Sequence, residues 1–151
     1  MRICCDYFAW LCLAFTVVGC GGSASDQPKL MPVRGMVVLD GKPLSGAVVA
    51  FDPTGSTHGT GAYGHTDKAG KYELATRSGG KGSPVGDYRV VVTKLVMPDG
   101  SDFPANSKVA PIDSLAKQIL PARYGMIGQT MLRATVRDGA NTIDFPLSAK
   151  P

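Results

Sequence analysis

From Val33 onward the chain is written in short apolar runs broken by turn-forming residues, and this rhythm leaves little to fold into except β-structure. Val33-Arg34-Gly35-Met36-Val37-Val38-Leu39 is rich in branched side chains. It stops at Asp40-Gly41, a dipeptide that accepts the positive φ angles of a tight hairpin turn. Gly46 to Phe51 forms a second run, closed by Pro53, which has no N–H to give to a ladder. Ala62 to Thr66 is a short third run, followed by the turn Asp67-Lys68-Ala69-Gly70. Lys71 to Thr76 alternates, with Tyr72 and Leu74 on one face, and Asp87 to Lys94 alternates with Tyr88, Val90 and Val92 on one face. The expected core is Val38, Val49, Phe51, Tyr72, Leu74, Tyr88, Val90 and Val92. With 44% hydrophobic and 19% charged residues the chain is too apolar to stay unfolded, and its 19 glycines and 11 prolines match the number of turns that short strands require.

Leu95 to Met131 breaks the rhythm. It holds Pro98, Pro104, Pro111 and Pro121, and is long for a connection inside a compact domain. Within it, Ser114 to Leu120 predicts two helical turns, capped by Asp113 or Ser114 and stopped by Pro121, with Leu115 and Ile119 on one face. Strand character then returns. Leu132, Ala134 and Val136 alternate with Arg133, Thr135 and Arg137, Asp138-Gly139 makes a turn, and Ile143, Phe145 and Leu147 alternate again. This predicts a closing hairpin.

The N-terminus is of another kind. Arg2 precedes an apolar stretch from Tyr7 to Val18, shorter than the roughly 20 residues needed to cross a bilayer and of signal-peptide length. It ends in Val17-Val18-Gly19-Cys20, which resembles the lipobox of bacterial lipoproteins, with valine at the two positions where leucine and a small residue are usual. The resemblance implies cleavage before Cys20 and acyl chains, palmitate among them, on its sulfur. Gly21 to Pro28 is small and polar, as a tether would be. The expected organisation is a signal peptide over 1–19, a tether over 20–31 and one domain over 32–148. Gly21 and Gly22 stand where an aspartate would signal inner-membrane retention, so the expected location is the outer membrane or cell surface. Cys4, Cys5 and Cys12 would leave with the signal, and the exported domain would hold neither free thiol nor disulfide.

A second resemblance rests on VVLDGKPLSGAVVAF (Val37 to Phe51), GHTDKAGKYEL (Gly64 to Leu74) and GDYRVVV (Gly86 to Val92). These segments resemble the carboxypeptidase regulatory-like domain, and Leu120-Pro121-Ala122-Arg123-Tyr124 is similar to a late segment of such lipoproteins. The resemblance implies a transthyretin-like, seven-stranded β-sandwich, here with a long loop and a short helix before the last hairpin. Its shared residues are turn-makers and core, so it implies a fold more than an activity.

The chemistry that remains is sparse. The net charge of +4 is spread along the chain, without the basic cluster of a nucleic-acid binder. His58 and His65 are the only histidines, too few for a zinc site without cysteines, and Asp40, Asp67, Asp99 and Asp102 lie in no calcium-loop pattern. Gly79-Gly80-Lys81-Gly82-Ser83 lacks the spacing of a phosphate loop, and no G-x-S-x-G is present. A hydrolase of the transthyretin-like fold ends in Tyr-Arg-Gly-Ser; this chain ends Leu147-Ser148-Ala149-Lys150-Pro151. The expectation is therefore a chain that is not an enzyme and needs no cofactor or metal. It would be held on the membrane through Cys20 as an interaction or structural module, or as a carbohydrate-binding module, with a small hydrolase on a transthyretin-like fold ranked last. Tyr63, Phe103 and Tyr124 are the candidate partner contacts, whether the partner is an envelope protein or a glycan.

Overall fold

A computed structural model describes residues 28–104 and 107–150. The signal peptide, Cys20 and most of the expected tether lie outside the described residues. The first half of the chain gives β1 (Leu30–Met31), β2 (Val33–Leu39), β3 (Lys42–Pro43), β4 (Val48–Pro53), β5 (Ala62–His65), β6 (Lys71–Glu73) and β7 (Ala75–Thr76). Then come β8 (Ser83–Pro84), β9 (Gly86–Thr93), β10 (Leu95–Val96), β11 (Lys117–Gln118), α1 (Ala122–Gly125), β12 (Arg133–Val136), β13 (Asn141–Thr142) and β14 (Phe145–Leu147).

Two five-stranded sheets form a sandwich. The first is antiparallel throughout, in the order β12-β9-β4-β5-β7. The second is built on β2, with β13 and β14 parallel to it on one side and β3 and β6 antiparallel on the other. Small ladders join β1 to β8 and β10 to β11. The turns follow the sequence. Asp40 and Gly41 both take positive φ (49° and 79°) between β2 and β3. The Asp67 carboxylate accepts the N–H groups of Ala69 and Lys71 at 2.8 and 2.9 Å, closing the turn into β6.

The core is the seam between the sheets. Val49, Phe51, Tyr88, Val90, Val92 and Val136 face Val37, Tyr72, Phe145 and Leu147 across it, all at most 4% exposed. Phe51 lies 5.6 Å from the Tyr88 ring in its own sheet and 6.1 Å from Phe145 in the other, and Phe145 stacks on Tyr72 at 6.2 Å. Four aromatic rings thus span both layers, each contributing a large buried area. The two phenols solve their hydrogen-bonding problem locally: Tyr72 donates to the Ile143 carbonyl at 2.7 Å and Tyr88 to the Pro84 carbonyl at 2.8 Å. Gly35 is the one position in β2 with no room for a side chain, because a Cβ there would sit 1.8 Å from the Ile143 oxygen that Tyr72 engages.

An all-β sandwich is what the chain forms, with three local corrections. Val37, fully buried, is the one of the two neighbouring valines of β2 that enters the core, and Val38 is only half-buried. The inward phase is Val33, Gly35, Val37, Leu39, and neighbouring valines gave no basis for choosing it. The expected helix over Ser114 to Leu120 does not form. A single 3-10 turn at Pro111–Asp113 is followed by β11, and α1 begins just after Pro121 rather than ending before it. Leu115 and Ile119 are 75% and 51% exposed, so that helix would have had no core to bury against. The backbone pairs instead: Ile119 N–H donates to the Lys94 carbonyl at 3.0 Å and Gln118 Oε1 accepts the Lys94 N–H at 2.7 Å. The expected closing hairpin is also absent. β12 pairs with β9 in one sheet and β14 with β2 in the other. Asp138-Gly139 therefore carries the chain across the sandwich. The Asn141 side chain braces the crossing, accepting from Arg137 N–H and donating to the carbonyls of Arg137 and Gly139, each at 2.9 Å.

Candidate interaction surfaces

The two ends of β9 differ in what surrounds them. At its start the chain enters: Pro28 lies beside Gly59 and Pro84, Lys29 pairs with Asp138 at 3.3 Å, and Leu30 is in register with Pro84. At its end stands Lys94, whose side chain is 7% exposed and ion-pairs with Asp102. Its Nζ also donates to the Ser45 carbonyl at 2.6 Å. This pair holds the loop after β10 against the start of β4, and the Phe103 N–H completes the attachment by donating to the Leu95 carbonyl at 3.1 Å. β9 is eight residues long, so the two ends are about 25 Å apart.

The segment beyond Lys94 carries most of the exposed apolar surface. Val109, Ile112, Leu115, Ile119, Met126, Ile127 and Met131 are seven of the nine large hydrophobic side chains that are exposed among the described residues. Exposed apolar side chains are common singly on a protein surface, and here they are concentrated in one stretch of the chain. The segment is anchored beneath these side chains. Leu120 is buried, Thr130 Oγ1 donates to the Val90 carbonyl at 2.7 Å, and Arg89 donates to the Ile127 carbonyl at 3.2 Å. The sequence pointed to the segment through its prolines and its lack of period, but not to the individual residues, since exposure of an aperiodic apolar residue has no local signature.

The three candidate contacts are not brought together. Tyr63 is 40% exposed on the outer face of β5. Phe103 is half-buried, lining a groove of about 470 Å³ with Val48 and His65, so it neighbours the Tyr63 face. Tyr124 is elsewhere and is largely structural. It packs against the core, its hydroxyl accepts the Ser148 N–H at 3.1 Å, and the Arg123 guanidinium lies 4.8 Å over its ring. The Ser148 hydrogen bond, and after it Arg123, hold that hydroxyl below the ordinary tyrosine range.

His58 and His65 are both exposed and line different grooves. Among the described residues no three His, Cys, Asp or Glu side chains gather closely enough to hold a metal ion. Asp67 and Asp99 serve their own turns. The hydroxyl and N–H of Ser101 both donate to Asp99, which keeps its carboxyl below the usual range. Among the described residues no helix is long and apolar enough to cross a membrane.

No family model and no curated protein matches the chain. A solved structure that does match is a 9R-lipoxygenase from Cyanothece PCC8801, at 15% identity over 85% of this chain, with a TM-score of 0.36. The chain spans 18% of the length of that lipoxygenase. With an enzyme among the matching structures, the expectation that the chain is not an enzyme is corrected. It does not stand as a conclusion, and a match at this TM-score supplies neither an activity nor a substrate in its place.

Proposed function

We propose that the chain is a lipid-anchored module of the cell envelope, tethered through acylated Cys20, which presents the apolar segment 109–131 to a protein partner. The observation that carries this reading is the placement of the two ends. The chain enters the sandwich beside Pro84, and the exposed apolar residues Val109, Ile112, Leu115 and Ile119 lie past Lys94 at the other end of β9, about 25 Å away, whereas Met126 to Met131 return along β9 to Arg89 and Val90. A tether from Cys20 to Pro28 reaches at most about 28 Å. A domain held on it would leave the far end, with Ile112 and Leu115, free to face away from the lipid. The lipobox resemblance supplies the anchor, and two or three acyl chains on one cysteine give firm retention where a single chain gives only reversible binding. The test is made in intact cells. The native protein is expected in the washed membrane fraction and Cys20→Ser is expected to leave it. Crosslinks read by mass spectrometry should join the 109–131 segment to one dominant protein. Retention of Cys20→Ser, or crosslinks confined to other surfaces, would overturn the corresponding half of the proposal.

A further inference from the structure

The outer face of the first sheet carries a second surface, bordered by the 109–131 segment where Arg89 reaches the Ile127 carbonyl and Val109 joins Val48 and His65 in one groove. Ladder register places Val91, Ala50, Tyr63 and Ala75 side by side across β9, β4, β5 and β7. Directly opposed residues of an antiparallel pair point to the same side, so this is one outward row. Tyr63 stands between two alanines, whose single methyl groups leave the ring uncovered. A parallel row holds Arg133, Arg89 and Asp52, and the row on the other side holds Thr93, Val48 and His65. The His65 ring meets the Tyr63 ring at 6.2 Å and 85°, fixing the orientation of the phenol. Asp52 and Arg77 line the same shallow groove as Tyr63, which measures about 850 Å³.

We propose that this strip is a carbohydrate subsite, with Tyr63 as the stacking platform and Asp52 and Arg77 as the hydroxyl-directed groups. A β-linked hexopyranose with equatorial substituents has a flat patch of C–H bonds on each ring face, and its hydroxyls point outward around the rim. A held aromatic ring flanked by small residues matches the patch. A planar carboxylate and a planar guanidinium match the hydroxyls, one accepting and the other donating. The size of the strip selects this occupant over a second copy of the chain. Three strand spacings by the two spacings between its three rows give a footprint of roughly 200 Å², against about 800 Å² per partner for a stable protein interface. Having both charge signs beside the ring suits a neutral ligand. The strip would serve this role whether or not Cys20 is acylated, so its failure leaves the anchoring proposal untouched.

The test titrates the detergent-solubilised full chain with cellohexaose and with chitohexaose by calorimetry, alongside its sedimentation behaviour. At least one oligosaccharide is expected to bind. Tyr63→Ala is expected to weaken that binding by at least about tenfold, and Tyr63→Phe, which keeps the stack, to stay within about threefold. Arg77→Ala is expected to weaken it as well. Tyr63 is on the surface, so these variants keep the fold. No heat with either sugar at millimolar concentration would overturn the proposal, as would equal binding by Tyr63→Ala. Self-association that Tyr63→Ala abolishes would overturn it too, by assigning the face to a second copy.

Discussion

Lys94 Nζ donates to the Ser45 carbonyl at 2.6 Å from a position that is almost wholly buried, and Asp102 supplies its counter-charge from a half-exposed one. The pair closes the end of the sandwich from which the irregular segment departs. Lys94→Met keeps most of the stem volume but leaves the Ser45 carbonyl and Asp102 without their donor. It is expected to cost about 2 kcal/mol, less than a fully buried pair would, because Asp102 recovers water. Asp102→Asn, which still offers an acceptor oxygen, is expected to cost under about 1 kcal/mol. Urea denaturation of the two variants measures the difference; equal losses would show that the Asp102 charge, and not the Ser45 bond, carries the lysine's contribution.

The buried phenols are expected to set the alkaline limit of stability. Burial, with the Asp144 carboxylate adding to it, pushes the Tyr72 hydroxyl well above its usual 10.0. Burial also raises Tyr88, partly offset by Ser83. A group whose folded pKa is raised contributes stability that is fully present below the unfolded value and is lost as pH climbs from there towards the folded one. The domain is therefore expected to hold its stability up to about pH 10 and to lose it above. Tyr72→Phe should cost about 1 kcal/mol at neutral pH for the lost bond to Ile143. It should also flatten the alkaline decline, since a phenyl ring has no proton to lose. Denaturation at about pH 9 and about pH 11, on either side of the ordinary tyrosine value, reads both effects. An unchanged decline in Tyr72→Phe would assign it elsewhere.

Neighbouring valines in β2 give a direct test of the strand's phase. Val37 is fully buried at the seam and Val38 faces outward beside Pro43. Val37→Ala is expected to cost about 2 kcal/mol and Val38→Ala under about 0.7 kcal/mol. A reversed order would mean the strand pairs one residue out of register.

Much of the sandwich was legible because its signals are local. Asp40-Gly41 and Asp67 to Gly70 are turns whose geometry is set by their own residues, and the alternation of Tyr72 with Leu74 and of Tyr88, Val90 and Val92 reads the seam directly. What was not legible depends on partners distant in sequence. Leu115 and Ile119 have helical spacing, but the core offers them no surface, and the Lys94 backbone captures Gln118 and Ile119 instead. β12 and β14 look like a hairpin because each alternates, and nothing local says that they belong to different sheets. Of the candidate contacts, Tyr63 was found by type and is exposed. Tyr124 is an aromatic of the same type, but Ser148 and Arg123 occupy it. The open neighbourhood of Tyr63 comes from Ala50 and Ala75 across the ladder, which sequence order does not reveal.

The proposed protein-facing segment separates function from stability. Ile112 is 91% exposed and Leu115 75% exposed, so neither holds the fold. Replacing both by serine removes apolar area only where a partner would cover it. The double variant Ile112→Ser, Leu115→Ser is expected to unfold within about 0.5 kcal/mol of the native chain, as surface changes do. Its crosslinking to the envelope partner should fall severalfold. Leu120→Ser, by contrast, opens the buried anchor of the same segment and is expected to cost about 3 kcal/mol. If the exposed pair destabilises the fold as much as Leu120 does, the segment is structural. If it alters neither stability nor crosslinking, the partner sits on another face and the 109–131 reading is overturned.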